Sequence, residues 1–335
     1  MHIPDNYLGP ATCAVMALAA APALIVSAKK VAHRLPKEKI PLLGIGAAFS
    51  FLIMLFNVPV PGGTTAHAVG GTLLAALLGP YAACLSISTA LLIQALMFGD
   101  GGILAFGANT FNMAVVIPFV GYFIYRFVKD RVSSKRGEYA GLAIAAYVAI
   151  NAAALCAAIE FGLQPLLAKD AAGVPLYCPY PLAVSIPAML IPHLAVAGLV
   201  EAAFTVAIFA FVERTSPGTV YAGSSVKLKP LYVLLAGLVL ASPLGLLAAG
   251  TAWGEWGADE IKAAVNGGSA LGFTPAGMAQ GLRFDAPLRD YAVKGAPEIV
   301  GYALSAIIGV AAVIIAFKLL ALLKKDRGGP SRAEA

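Results

Sequence analysis

Charge is what this sequence has least of. Only 12% of its 335 residues are Asp, Glu, Lys or Arg, while 60% are hydrophobic, a balance far from that of a soluble domain. Apolar segments of this number cannot all be packed into one water-soluble core, so the composition predicts an integral membrane protein. Cysteine is also scarce. Cys13, Cys84, Cys156 and Cys178 show neither CxxC nor zinc-site spacing, and all but Cys178 sit inside apolar runs, which argues against a structural disulfide or a zinc centre. There is no GxxxxGK[ST], no HExxH and no GxSxG, so nothing points to ATP hydrolysis through a P-loop, to a zinc protease or to a serine hydrolase. No internal repeat suggests an inverted-repeat secondary transporter.

The net charge of +6 does not mark a nucleic-acid partner, because the basic residues are distributed as a membrane protein distributes them. Lys29, Lys30, Arg34, Lys37 and Lys39 fall in one inter-helix loop, and Arg126, Lys129, Arg131, Lys135 and Arg136 in a second. Arg214, Lys227 and Lys229 fall in a third, and Lys318, Lys324, Lys325, Arg327 and Arg332 at the C-terminal end. With the apolar runs laid across a bilayer, these eighteen of the 23 basic residues share one side, and only Lys169, Lys262, Arg283, Arg289 and Lys294 face the other. The positive-inside rule then predicts a cytoplasmic C-terminus and an N-terminus outside the cell.

A transmembrane helix needs roughly 20 apolar residues. Nine segments qualify as candidates, near residues 11–28, 40–58, 66–78, 81–98, 110–128, 139–163, 184–212, 231–249 and 299–322. The predicted fold class is therefore an all-α polytopic bundle of about nine transmembrane helices in the cell membrane. Pro187 and Pro192 predict a kink or an early break in the seventh span. The glycine-rich stretch Gly99 to Asn109 is too polar at its ends to span and is expected to dip partly into the membrane, against protein or a water-filled cavity. Three parts follow: a membrane domain over 1–215, a cytoplasmic linker over 216–230, and over 231–335 two helices joined by an outer loop.

The stretch with the most chemistry is the first eight residues, Met1-His2-Ile3-Pro4-Asp5-Asn6-Tyr7-Leu8, which run straight into the first apolar segment. The large second residue leads to the expectation that Met1 is retained. A free α-amino nitrogen, the His2 amide nitrogen and the His2 imidazole follow one another along the backbone, so they can close two fused chelate rings on one cation. Three nearly coplanar nitrogens suit Ni(II) or Cu(II), with Co(II) weaker by geometry.

His67, at the outer end of the third span, faces the same compartment as Met1 and is placed to supply a fourth nitrogen. A deprotonated amide leaves such a complex with a charge of about +1, less costly to hold at a membrane boundary than a bare dication. Binding is expected to release protons. Asp5 is the natural partner to orient a ligating imidazole or loop backbone.

Asn109 and Asn112 share one helical face and have two readings, hydrogen bonding to the inserted N-terminal loop or polar packing between helices. His193 and Glu201 lie within the seventh span, where an ionisable residue is by default a functional hypothesis. Beside Pro192, however, the His193 ring is also placed to satisfy a freed helix carbonyl. Glu160 is expected to reach interfacial water, and His33 to be plain surface.

The opening Met1-His2-Ile3-Pro4-Asp5-Asn6-Tyr7-Leu8, the His67 loop and Gly107-Ala108-Asn109-Thr110-Phe111-Asn112-Met113-Ala114 resemble the CbiM/NikM family of substrate-binding S components of energy-coupling-factor transporters for cobalt and nickel. The resemblance covers roughly residues 1 to 215. It implies that the N-terminal loop is inserted among the helices. It also implies that the metal is held by the Met1 amine, the His2 amide and imidazole, and His67. Residues from 231 onward are similar to the small CbiN/NikN-type subunit, fused in one chain, with Thr274 to Asp290 a divergent Pro-Asp-Gly-Leu-Glu-type stretch. Pro275-Ala276-Gly277-Met278-Ala279 lacks both acids of that motif.

The resulting expectation is a nickel-binding, or secondly cobalt-binding, component of an ATP-driven uptake system. Nickel(II) or cobalt(II) is its transported substrate, and it carries no organic cofactor. Nickel comes first because a planar nitrogen set suits a d⁸ ion and because Pro4-Asp5 resembles the nickel branch. The implied partners are a transmembrane coupling subunit, ATPase subunits on separate chains, and the lipid bilayer, with no enzymatic activity in this chain. Two alternatives stand beside it: an ion-coupled secondary metal transporter using His193 and Glu201, and an accessory membrane protein without transport of its own.

Overall fold

The computed structural model describes residues 1–35, 39–61, 64–220, 226–248, 250–266 and 269–323. Apolar runs of this kind become helices because the helix satisfies every backbone donor and acceptor within one segment, which a bilayer demands. In order they are α1 (Pro10–Arg34), α2 (Ile40–Met54), a hairpin of β1 (Val58–Val60) and β2 (Thr64–Ala66), α3 (Gly71–Leu78) and α4 (Pro80–Ile93). Next come α5 (Phe106–Asn109), α6 (Ile117–Lys129), α7 (Lys135–Leu167), α8 (Leu182–Pro192), α9 (Gly198–Thr215) and α10 (Leu228–Ala241). A two-residue hairpin, β3 (Val265–Asn266) with β4 (Ser269–Ala270), then α11 (Ala276–Ala279) and α12 (Glu298–Leu323) complete the chain.

Among the described residues, seven helical segments are long and apolar enough to cross a membrane: Pro10–His33, Pro80–Phe98, Phe106–Lys129, Lys135–Leu167, Leu182–Thr215, Leu228–Leu247 and Glu298–Leu322. This is a multi-pass membrane protein. The other two expected spans are shorter. α2 has 15 residues, about 22 Å of helix, and all but Pro41 are buried. The third begins late, because Thr64–Ala66 pairs with Val58–Val60 and Gly70 turns the chain at φ +74°. That leaves eight residues for α3. Of the residues behind the expected orientation, Lys37, Lys324, Lys325, Arg327 and Arg332 lie outside the described residues, as do 221–225 of the linker.

α7 is the axis of the bundle. Ala145, Ala146, Ala149, Ala153, Ala154, Ala157 and Ala158 are fully buried along it, and side chains this small let neighbouring helices approach closely. Three π-helical stretches interrupt the spans, at Gln94–Phe98, Thr110–Val116 and His193–Ala197. The last of these directly follows Pro192, where the sequence predicted a kink. Such bulges redirect side chains and are frequent at functional sites. Here the first precedes Asp100 and the second follows Asn109.

Candidate metal centre

Most of residues 1–9 do not lie on the surface, with only Pro4, Asp5 and Asn6 half-buried. Ile3, Tyr7 and Leu8 are fully buried and Met1 and His2 nearly so, and a buried loop must find partners for its backbone groups. Asn109 accepts from Ile3 N at 2.8 Å and donates to Ile3 O at 3.0 Å. Gly102 N donates to Ile3 O at 2.8 Å and Cys178 N to Tyr7 O at 2.9 Å. Gly9 N donates to Gln164 Oε1 at 2.9 Å. The two segments touch closely at Gly102, where a Cβ would stand 2.4 Å from Asp5 N, so only glycine fits there. The Tyr7 ring packs edge-on against Phe161 with centroids 4.9 Å apart.

This anchoring brings His2 and His67 together, their ring centroids 4.9 Å apart. His67 Nδ1 lies 3.1 Å from Ala68 O. His67 Nε2 and His2 Nε2 are buried and have no hydrogen-bond partner. One ligand atom each from His2, His67 and Glu255 falls within 4.8 Å of the others. Carboxylates face the remaining nitrogens. Glu255 pairs with the Met1 ammonium and accepts from His2 N at 2.7 Å, while Asp100 Oδ1 lies 3.3 Å from His2 Nδ1. Asp100 in turn accepts from Tyr291 Oη at 2.5 Å and Gln94 Nε2 at 3.3 Å. The group borders a cavity of about 350 Å³ that also touches Glu260 and Asp290.

Burial, reinforced by the terminal ammonium, pushes the His2 imidazole down to about 4 and His67 to about 3, so both rings are neutral at pH 7 and offer lone pairs. Burial works to raise the Glu255 carboxyl, but the ammonium and the two imidazoles overcome it and hold it at about 2. Burial, together with Glu255 nearby, raises Asp100. Neutral imidazoles beside ionised carboxylate make a donor set for a cation.

The other candidates divide. Asp5 meets loop backbone, accepting from Leu104 N at 2.7 Å, and the carboxylate at the His2 ring is Asp100. Asn109 holds the N-terminal loop, but Asn112 donates to Glu160 at 3.0 Å and serves helix packing. Glu160 is buried and so does not reach interfacial water. The His193 ring lies 2.7 Å from the Met189 carbonyl of its own helix. Glu201 accepts from Val69 N at 2.7 Å and Gly70 N at 3.0 Å, fixing the turn that follows His67. Each of these two residues has a backbone partner. His33 is exposed.

Asp100, Gln94, Glu255 and Tyr291 were not singled out from the sequence. One signal was available for Glu255: the only two tryptophans in the chain, Trp253 and Trp256, flank it.

Residues 2–219 match the family described as "Cobalt uptake substrate-specific transmembrane region", CbiM. The chain belongs to this family. Residues 228–326 match the PDGLE domain, so this CbiM-family protein carries both regions in one polypeptide. It is 54% identical over 313 residues to the "Probable fused nickel transport protein LarMN" of Lactiplantibacillus plantarum, covering 92% of this chain and 94% of that one. It is 47% identical over 343 residues to the "Fused nickel transport protein NikMN" of Rhodobacter capsulatus, covering 97% and 98%. A solved structure described as a truncated transition metal transporter is similar with a TM-score of 0.60 and 57% identity, over 64% of this chain and 99% of that one.

Proposed function

We propose that this chain is the substrate-binding membrane component of an ATP-driven, energy-coupling-factor-type uptake system for nickel, with cobalt the second choice. The cation is its substrate, held by the Met1 amine, the His2 amide nitrogen and Nδ1, and His67 Nε2. Residues 1–215 form the binding domain, 216–230 a cytoplasmic linker and 231–335 an accessory module, in a bundle of about nine spans with the N-terminus outside. A transmembrane coupling subunit and ATPase subunits on separate chains supply the energy, and this chain is no enzyme.

One observation carries the reading. The Met1 amine, the His2 amide and His2 Nδ1 each face a carboxylate oxygen, and the fourth expected donor, His67 Nε2, is buried without a partner next to them. Leaving a buried polar atom unpaired costs about 1–3 kcal/mol, a cost that a bound cation removes. His67 Nδ1 against the Ala68 carbonyl fixes the tautomer that leaves Nε2 free as a ligand. Nickel is preferred over cobalt because four nitrogens in a plane suit d⁸. The names of the full-length relatives, fused nickel transport proteins, support the same choice.

The test is ⁶³Ni uptake by cells expressing the chain with and without the ATPase and coupling subunits. Uptake that requires those subunits is expected. Uptake without them that collapses under a proton uncoupler at held ATP contradicts the reading and favours ion coupling. Absence of uptake in every combination leaves only an accessory role.

A further inference from the structure

We infer that Glu255, carried by the C-terminal module, is the counter-charge that docks the N-terminus in its site. This deepens the function proposed above, in which Met1 and His2 form a hook that holds the cation, and rests on it. Met1 and His2 are buried, and a charged amine cannot be held there without a partner of opposite sign. Among the described residues the partner is Glu255, 254 positions away along the chain, which also takes the His2 amide hydrogen at 2.7 Å.

The position of Glu255 is built rather than incidental. Gly254 bends the backbone at φ +84°, and a Cβ there would stand 2.7 Å from the Phe161 ring, so the chain presses flat on that ring where a side chain is excluded. Trp253 and Trp256 bracket the carboxylate. Trp253 packs on Phe161 and Tyr180 with centroids 6.1 and 5.3 Å away, Trp256 lies 6.0 Å from Tyr180, and the two indoles are 5.6 Å apart. Phe161 carries Tyr7 on another side, so one aromatic cluster sets both the N-terminal loop and the loop bearing Glu255.

Two more ties join the same partners. Asn6, held at φ 65°, donates to Leu282 O at 2.8 Å and accepts from Leu282 N at 2.9 Å. Tyr291 donates to Asp100, the carboxylate beside His2 Nδ1. The module therefore meets residues 1–6 directly at Glu255 and at Leu282 and indirectly through Asp100, and Glu255 is the contact that touches expected ligand atoms themselves.

Charge counting makes Glu255 more than a clamp for the metal-free chain. Before capture the site holds one ammonium charge. Capture adds a dication and releases one proton from the ammonium and one from the His2 amide to solvent, which leaves a net +1 on the complex. The carboxylate faces the same net charge in both states, and on capture its hydrogen bonds from the ammonium and the His2 amide give way to attraction to the cation. It positions the hook for capture and then neutralises the loaded complex.

The experiment uses the full chain in detergent, with Glu255→Gln as the near-isosteric neutral variant, Glu255→Asp as the conservative one and Asp259→Asn, exposed in the same loop, as the control. Two quantities are read: the rate at which a water-soluble acylating reagent modifies the Met1 amine of metal-free protein, and the nickel dissociation constant from chelator competition. The expected result is at least tenfold faster acylation and at least tenfold weaker nickel binding in Glu255→Gln. Glu255→Asp should recover part of both, and Asp259→Asn should match the parent. Acylation rate and nickel affinity within twofold of the parent in Glu255→Gln overturn the proposal. Acylation is read without metal, so it judges the docking even if nickel proves to bind elsewhere. That separate failure would show as parental nickel affinity in a chain with a residue added before Met1.

Discussion

Asn109 grips Ile3 by both sides of its peptide, accepting from the N–H at 2.8 Å and donating to the carbonyl at 3.0 Å. A side-chain amide carries a donor and an acceptor side by side and so can do both at once. The grip holds the residue next to His2, so the position of the hook depends on it. The π-helical stretch that begins at Thr110 follows this side chain directly.

Asn109→Ala is expected to leave the Ile3 N–H without a partner and its carbonyl with only Gly102, at a cost of about 1–3 kcal/mol for each buried group left unsatisfied. Nickel affinity should fall by about tenfold or more, at 1.4 kcal/mol per decade, with helix content unchanged by circular dichroism. Asn109→Asp, which keeps the acceptor and loses the donor, should fall between. Asn112→Ala, whose partner is Glu160, should shift thermal stability and leave nickel affinity near the parent. Equal loss of affinity in the two alanine variants would remove the distinction between them.

His67→Ala removes the unpartnered buried nitrogen nearest His2. Loss of one of four ligands is expected to weaken nickel binding by at least two orders of magnitude in chelator competition. His33→Ala, exposed on α1, should change nothing. Parental affinity in His67→Ala would take His67 out of the site.

Glu201 reaches the site through backbone. Its carboxylate holds the N–H groups of Val69 and Gly70, at the turn that sets where His67 sits. Glu201→Ala should lower the melting temperature and weaken nickel binding together, and Glu201→Gln should recover part of each. Reconstituted uptake by Glu201→Gln should remain dependent on ATP and indifferent to an uncoupler. A selective loss of uncoupler-sensitive uptake would revive the proton-relay alternative.

The two lowered imidazoles give the metal-free protein a pH signature. A ring with its pKa near 4 or 3 in the fold and about 6.5 when unfolded is protonated in the unfolded chain first. The unfolded state therefore binds more protons between these values, and stability rises with pH across that window. The contribution is complete above about pH 6.5 and is lost as pH falls toward 4 and then 3. Melting temperatures from pH 4.5 to 7.5 should rise with pH in the parent and flatten in His2→Ala and His67→Ala. The same slope in all three proteins would count against this origin.

The parts of this arrangement that are local in sequence were legible there. Amine, amide and imidazole follow one another along Met1 and His2, so their capacity to chelate needs no fold, and the composition alone required membrane helices. What the sequence could not carry was distance. Glu255 is 254 residues from Met1, and a carboxylate has no spacing rule that ties it to an amine so far away. Asp100 sat unmarked within a glycine-rich stretch. The third expected span read as continuous apolar chain, but Thr64–Ala66 found a strand partner in Val58–Val60 and only eight residues remained for helix. For Glu160, a position near a helix end suggested water, while the partner that buries it, Asn112, comes from another helix.

The central claim is that the chain's own first nitrogen is a metal ligand, and adding one residue ahead of Met1 tests it most directly. The extension moves the amine away and leaves His2, His67 and every carboxylate in the sequence. The extended protein, purified and titrated with nickel beside the parent, is expected to lose high-affinity binding and the absorption band of a planar nickel–nitrogen complex while keeping its helix content and elution volume. Parental affinity and an unchanged spectrum in the extended chain would contradict the claim.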